Sequence, residues 1–457
     1  MSKITDYRIV LSQTPKVSEQ RAACFLREKI KLVCGKKLPL VSDAEPPEAL
    51  EIVVGETTRE APDGVEVTRT RAGVWEYVML KKGERLYLLG LGTPPAAEPP
   101  YNTAYRKIDD GATGTVMAAY HFVQDILGYP FVYADLEEFP ERPDLEMPRT
   151  YEYRFTREAL EAQRPKPLEG AALYSLNTVA RLEWNVGSFI VKTRAGKLIV
   201  IDGGHMGDLP RLVECLKSIS GEEVPTVTAW LFSHLHDDHH GAYLRLVRDE
   251  EWQGKVTVKD VYHHFLPREF YTDITKEASA HFGPEYDAIM NSDKTFGATL
   301  HAVGTGERIS VDEIDFDVLH VPDISFGKQM NVNDSSVVYK MTYDKGQSVM
   351  FLGDAEWIGS NDLVENHADE LACDVVQVGH HGCGNCSEEC YRLIGAKAYI
   401  WQCGERFWYQ DCGEGLNTHN VGLIRYRTMM KRFGIKDENV YVTLGDIDSL
   451  PLPIPIH

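Results

Sequence analysis

Apolar residues recur at helical spacing from Arg21 to Gly35, where the glycine acts as a stop, so the pattern predicts an amphipathic helix early in the chain. Short runs rich in branched and aromatic residues follow, Leu50–Val54 and Arg85–Leu89, and read as strands. A second helical stretch, from about Thr113 to Leu127, places Val116, Ala119, Tyr120, Val123 and Ile126 on one face and ends at Gly128-Tyr129-Pro130. Strands alternating with helices predict a small α/β layer domain. Proline-rich stretches then punctuate the chain, first Glu138–Arg149 with prolines at 140, 143 and 148, then Arg164-Pro165-Lys166-Pro167. They read as a link, which sets the predicted domains at 1–165 and 166–457.

Beyond the link the pattern shifts to buried strands. Ser188–Lys192 and Lys197–Ile201 form a predicted hairpin turning at Ala195-Gly196, and a helix from Leu209 to Ser218 leads into a strand that ends at Ala229-Trp230-Leu231-Phe232. Ser348–Leu352 and Asp374–Val378 are continuous apolar runs of the kind that a sheet buried on both faces requires. A final helix is predicted from about Val421 to Phe433.

Composition changes this picture little, but charge does. Hydrophobic residues at 43% and charged residues at 26% are those of an ordinary globular protein. With 48 basic against 69 acidic residues the net charge is −21, which disfavours long nucleic acid as a partner. No apolar run is long enough to span a bilayer, and Met1-Ser-Lys-Ile-Thr-Asp6 lacks the apolar core of a signal peptide, so a cytoplasmic location with no membrane partner is expected. The odd number of cysteines, 9, fits a reducing compartment better than a disulfide framework. Cys383, Cys386 and Cys390 have spacing that could grip a structural zinc, but the second paired knuckle of such motifs is absent and free thiols are the expected state.

The chemistry concentrates immediately after the Ala229–Phe232 strand. Ser233-His234-Leu235-His236-Asp237-Asp238-His239-His240-Gly241 sets His-x-His-x-Asp-His within six residues. Neutral imidazoles and a carboxylate at that density are metal donors. Alternate side chains of an extended segment share a face, so His234 and His236 can converge on one ion while Asp238 and His239 reach a neighbouring one. Two ions roughly 3.5–4 Å apart then share a bridging water or hydroxide. Further donors stand at the ends of the later apolar runs, in Gly353-Asp354 and in Gly379-His380-His381-Gly382.

Taken together, Asp202-Gly-Gly, His234-x-His236-x-Asp238-His239, Gly353-Asp354 and His380-His381-Gly, in this order, closely resemble the metallo-β-lactamase fold superfamily over residues 170–457. The resemblance implies an αββα sandwich with a dinuclear site. It implies that His234, His236 and Asp354 hold one ion, and that Asp238, His239, Asp354 and one histidine of His380-His381 hold the other, with His380 preferred as the first residue after the strand. Asp202 is expected to orient the ligating loop from behind. Zinc is the expected metal, and manganese or iron suit the same donors. Asp237, beside the ligands, is the expected acceptor of a proton from the attacking water.

Many members of the superfamily carry another histidine in a Gly-His-Thr turn, where this chain has Met330-Asn-Val-Asn-Asp-Ser-Ser-Val-Val338. Together with Val318-Leu-His-Val-Pro322 upstream, the Asn-Asp-Ser-Ser form is similar to the branch that holds the competence-channel hydrolase domain and phosphorylcholine esterase. Asn333 or Asp334 is the expected substitute, as a weak ligand or through a water. His320 is expected to be structural, and His240, His263 and His264 to serve packing or support. In that branch a histidine at the Asn417-Thr-His-Asn420 position reaches the site, which makes His419 a candidate for stabilising an oxyanion or protonating a leaving group. Tyr262, Tyr271, Trp357, Trp408 and Tyr409 are candidate pocket aromatics.

The first domain has its own resemblance. Ala22-Ala23-x-x-Leu26 with Gly35-Lys-Lys-Leu-Pro39, Ile52-Val-Val-Gly-Glu-Thr57, and Gly114–Gly128 followed by Tyr133-Ala-Asp are similar to the non-catalytic N-terminal domain of β-N-acetylhexosaminidases and α-glucuronidases. It brings a carbohydrate context without a catalytic barrel. The expected function is a hydrolase that uses a metal-bound hydroxide on a phosphodiester or phosphoester of a small, sugar-linked substrate. The same fold also serves carboxylic esters, lactones and thioesters, and a carbohydrate-binding protein with a structural metal is the non-enzymatic alternative.

Overall fold

The structure, a computed structural model, describes residues 2–60, 65, 76–90, 113–129, 141–156, 167–178, 185–409, 418–443 and 447–457, with the side chains of 113, 296, 406, 418–424 and 447 outside the described set. The chain forms two compact units, Met1–Ala162 with Trp408–Leu416, and Gln163–Phe407 with Asn417–His457.

In the first unit, six strands run in the order Leu40–Ser42, Arg8–Leu11, Glu51–Val54, Arg85–Gly90, Tyr77–Lys82 and Glu152–Phe155. The first four are mutually parallel and the last two join antiparallel. The predicted first helix spans Val17–Cys34, beginning earlier than its apolar pattern because the Glu19 carboxylate accepts the Lys16 N–H at 2.9 Å and closes the first turn. It ends as predicted on Gly35, whose φ of 74° supplies the left-handed cap. Its Phe25 meets Tyr120 of the Thr113–Asp125 helix edge to face at 4.9 Å.

The second unit is a mixed α/β sandwich of two seven-stranded sheets. One sheet runs Thr299–Ala302, Thr257–His263, Thr226–Leu231, Leu198–Asp202, Ser188–Lys192, Ala172–Leu176 and Ile447–Pro451. The other runs Arg308–Val311, Ile314–His320, Val338–Tyr343, Ser348–Phe351, Val375–Gln377, Ala398–Trp401 and Val440–Val442. Period-two alternation divides the Leu198–Asp202 strand between two cores. Ile199 and Ile201 face the second sheet with Phe316, Tyr339, Val349 and Ile400. Leu198 and Val200 face Leu212 and Leu216 of the Leu209–Ser220 helix and Ala242 and Leu246 of a helix spanning Asp237–Arg248. On the second sheet's outer side, Tyr391 of the Glu388–Ile394 helix stacks on Tyr399 at 6.2 Å between centroids. Both faces of the first sheet are thus covered, which is why its strands are apolar throughout.

Candidate metal centre

Most of the predicted donors lie just beyond the carboxyl ends of strands of the two sheets. The strands Leu198–Asp202, Thr226–Leu231, Ser348–Phe351 and Val375–Gln377 deliver Asp202, Ser233-His234, Asp354 and His380-His381 at their carboxyl ends. The histidine run is not extended beyond His236. His236 is the N-cap residue of the Asp237–Arg248 helix, so Asp238 and His239 project from a first helical turn rather than from a strand-like loop. Asp237 and Asp238 favour the helix N-terminus, and Arg245 and Arg248 its last turn.

The loops are tightly built. Asp202, His380 and His381 adopt positive φ of 60°, 47° and 54°, a conformation that non-glycine residues rarely take and that is concentrated here at the site. Asp202 accepts the Ser233 N–H at 2.7 Å and the Ser233 hydroxyl at 2.8 Å, and His239 Nδ1 donates to it at 2.8 Å. A Cβ on Gly187 would stand 2.3 Å from His239 Nδ1, so only glycine lets the imidazole take this position. Buried Gln377 ties the neighbouring loop ends, donating to the Gly353 carbonyl at 3.1 Å and accepting the Leu352 N–H at 2.8 Å. Ser336 of the Asn-Asp-Ser-Ser run accepts the Asp354 N–H at 3.0 Å.

Four residues converge: Asp238, His239, Asp354 and His381 offer donor atoms that all lie within 4.8 Å of one another. His239 Nε2 is 3.2 Å from Asp354 Oδ1 and 3.3 Å from His381 Nε2. His381 Nε2 is 3.2 Å from Asp238 Oδ2 and 3.3 Å from Asp354 Oδ2. His381 Nδ1 donates to the Gln402 carbonyl at 3.1 Å, as His239 Nδ1 does to Asp202, so both rings turn Nε2 inward. Asp354 is 1% exposed, and its Oδ1 makes no hydrogen bond of acceptable geometry. A buried carboxylate oxygen without a hydrogen bond, facing two inward nitrogens and a second carboxylate, is a donor set that a divalent cation fits.

Electrostatics agree. Burial alone would push the Asp354 and Asp238 carboxyls up, but the surrounding imidazoles hold both well below the usual carboxylate range. Burial opposes charge on His381, yet Asp354 and Asp238 outweigh it and push the ring up to about 9. The carboxylates hold His239 well above its ordinary value in the same way.

His381 occupies the cluster, rather than the His380 that the sequence order favours. His380 turns aside, with Nδ1 2.8 Å from Glu356 and Nε2 3.8 Å from Asp354. Beside it lies the more open half of the centre. His234 Nε2 is 3.1 Å from His236 Nδ1 and 4.0 Å from Asp354 Oδ2, and burial holds the His234 ring well below its ordinary value. Asn333, at the place of the missing histidine, is 5% exposed, and its Oδ1 has no hydrogen-bond partner. Its Nδ2 is 3.4 Å from His380 Nε2. Asp334 instead accepts the Ile358 N–H at 3.1 Å and secures the Trp357–Asn366 helix.

Other predicted residues find other partners. Asp237 lies 3.6 Å from His205; burial opposes its charge, but His205 holds the carboxyl down to about 2. His240 Nδ1 donates to the His236 carbonyl at 2.6 Å, and His320 pairs with Asp362 at 2.6 Å. His264 Nδ1 bonds the Val303 carbonyl at 2.6 Å, and His263 stacks on Phe265. Tyr262 stacks on His301, and Tyr271 is buried with its hydroxyl accepting the Leu266 N–H. Cys383, Cys386 and Cys390 are free thiols and form no metal-ligating group among the described residues. His419 lies in the Thr418–Arg432 helix, and its side chain is outside the described residues, as is Cys412. Sequence reasoning passed over Glu277, 3.4 Å from His236 Nε2, as well as Glu356, Gln377 and His205. None carries a local signal, because each meets the site across loops far apart in the chain.

Residues 183–382 match the profile of the Metallo-beta-lactamase superfamily and form a domain of that superfamily. Among solved structures, the metallo-beta-lactamase fold protein YhfI from Bacillus subtilis is similar at 10% identity, over 61% of this chain and 99% of that one, with a TM-score of 0.36. Unliganded yeast PDE1 is similar at 12% identity, over 61% and 99% of the two chains, with a TM-score of 0.38. A diphosphatase from the PhnP family is similar at 13% identity, over 59% and 85%, with a TM-score of 0.33. No curated protein matches the chain significantly.

Proposed function

We propose that the second unit is a metal-dependent hydrolase of phosphodiester or phosphoester bonds in a small substrate, and that it works with two divalent ions, zinc first among them. The observation that carries this reading is the Asp354 carboxylate, buried without a hydrogen bond to Oδ1 and faced by the Nε2 atoms of His239 and His381. Asp238, His239, Asp354 and His381 are the proposed ligands of one ion, and His234, His236, Asp354 and Asn333 of the other. Ions held by these residues would supply a water whose pKa is lowered to about 7 and a counter-charge to the reacting group.

The chain's own residues do the rest. Asp202 fixes His239 in the tautomer that turns Nε2 inward, and the Gln402 carbonyl does the same for His381. Glu277 and Glu356 hold His236 and His380 through their rings. Asp237, kept ionised by His205, is the proposed acceptor of the attacking water's proton. The Asn-Asp-Ser-Ser run supports phosphoryl over carbonyl substrates through its resemblance alone, and the first unit's resemblance to sugar-enzyme domains supports a sugar-linked one.

Hydrolysis of bis-p-nitrophenyl phosphate, set against p-nitrophenyl acetate, tests the reading on protein loaded with zinc or manganese. Turnover of the diester that Asp354→Ala abolishes supports it. Turnover of the acetate alone moves the assignment to carboxylic esters, and an inert, metal-loaded protein favours a binding role.

A further inference from the structure

Next to the metal centre the second unit holds a cleft of about 860 Å³. Its wall is continuous with the centre through one chain of side chains. His380 Nε2 lies 3.8 Å from Asp354, His380 Nδ1 lies 2.8 Å from Glu356, and Asn331 Nδ2 donates to Glu356 at 3.1 Å; Glu356 and Asn331 both line the cleft. The acidic groups lining it are already engaged. Asp334 accepts the Ile358 N–H, Glu356 takes His380 and Asn331, and Glu388 pairs with Arg432 at 2.5 Å.

The lysines are not engaged in this way. Lys276 and Lys328 line the cleft, are exposed, and have no acidic partner among the described residues. Lys276, Lys328 and Arg425 share this wall with Asp334, Glu356 and Glu388, and Glu388 is already offset by Arg432, so in a chain of net charge −21 the cleft offers an incoming anion cationic partners. Trp357, at the start of the Trp357–Asn366 helix, lines the same cleft and is 61% exposed. An indole left in water at the mouth of a cleft is a stacking platform for a planar or sugar ring.

We propose, resting on the hydrolase reading above, that this cleft anchors a second phosphate of the substrate on Lys276 and Lys328, while Trp357 stacks on a ring between that phosphate and the bond cleaved at the metal centre. Two point charges on flexible stems suit a phosphate dianion, which accepts from several directions. The substrate is then a phosphorylated ring compound with two phosphoryl groups, one reacting and one held.

A matched pair of chromogenic diesters tests this: thymidine 5′-(p-nitrophenyl phosphate), and the same ester with an added 3′-phosphate. Both are assayed on the metal-loaded wild type and on Lys276→Ala/Lys328→Ala, with calorimetric titration of thymidine 3′,5′-bisphosphate alongside. The wild type is expected to prefer the 3′-phosphorylated ester by roughly tenfold in kcat/KM, and the double variant to lose that preference and bind the bisphosphate about tenfold more weakly. Hydrolysis of both esters without preference, or a preference that survives in the variant, overturns the cleft assignment and leaves the hydrolase reading standing. If neither ester is cleaved, bis-p-nitrophenyl phosphate decides the hydrolase reading and the bisphosphate titration decides the anchor: lysine-dependent binding upholds it, and binding indifferent to both lysines overturns it.

Discussion

Each unit of this protein buries a carboxylate almost completely, and the two are neutralised in opposite ways. In the first unit Glu51, 0% exposed, is met by Arg8 at 2.6 Å, Arg85 at 2.9 Å and Arg59 at 3.1 Å. In the second, Asp354, 1% exposed, has no arginine or lysine among its described contacts and is ringed by imidazoles and a second carboxylate. The Glu51 site is complete, because its fixed cations hold the carboxyl below the usual range against the pull of burial. Asp354 has partners that change charge with protonation and turn ring nitrogens inward, a set that a divalent cation would complete. A buried acid by itself says nothing of function; the class of its partners does.

The contrast can be broken from either side. The largest effect is expected at Glu51: Glu51→Gln leaves the buried guanidiniums of Arg8 and Arg59, and the partly exposed one of Arg85, short of their acceptor and should cost about 3–5 kcal/mol of stability in urea unfolding, with metal content unchanged. A metal loss in that variant would mean that the two sites are not independent in kind. Within the centre, His381→Ala is expected to weaken metal binding by more than about 100-fold and His380→Ala by less than about tenfold, read by competition with a chromogenic chelator. Equal losses would remove the distinction between the ring that joins the cluster and the ring held by Glu356. Asp202→Asn retains the shape but not the charged acceptor for His239 and Ser233, and a weakening of roughly 10–100-fold is expected in the same titration.

A further prediction concerns pH. Burial, with His264 and His301 adding to it, holds the His263 ring down to about 4, below its ordinary 6.5. Between those values the unfolded chain binds the proton and the folded one does not. The stability contributed by the neutral ring is therefore complete above pH 6.5 and is lost as pH falls through 4, on the order of 3 kcal/mol in all. His263→Phe should flatten that part of the stability profile, and an unchanged acid limb would assign it to other groups.

Much of the architecture could be read from the apolar pattern, for physical reasons that the exceptions make plain. The Ser188–Lys192 and Leu198–Asp202 strands and the Leu209–Ser220 helix follow their periodicity closely. The Asp237–Arg248 helix escaped notice because its first turn is a run of acids and histidines, and its apolar face begins only at Ala242 and Tyr243. The choice between His380 and His381 is invisible in sequence. Both sit on one strained turn, and the outcome depends on whether a ring nitrogen finds Gln402 or Glu356, contacts made by distant segments. Lys276 and Lys328 likewise share a cleft only through the tertiary fold, and no local spacing joins them.

The most direct test is the metal content of purified protein by plasma mass spectrometry, for the wild type and Asp354→Ala. Close to two equivalents of divalent metal, zinc foremost, are expected in the wild type, with a sharp fall in the variant. Folded wild-type protein that holds no metal and takes up none from zinc, manganese or iron would contradict that expectation.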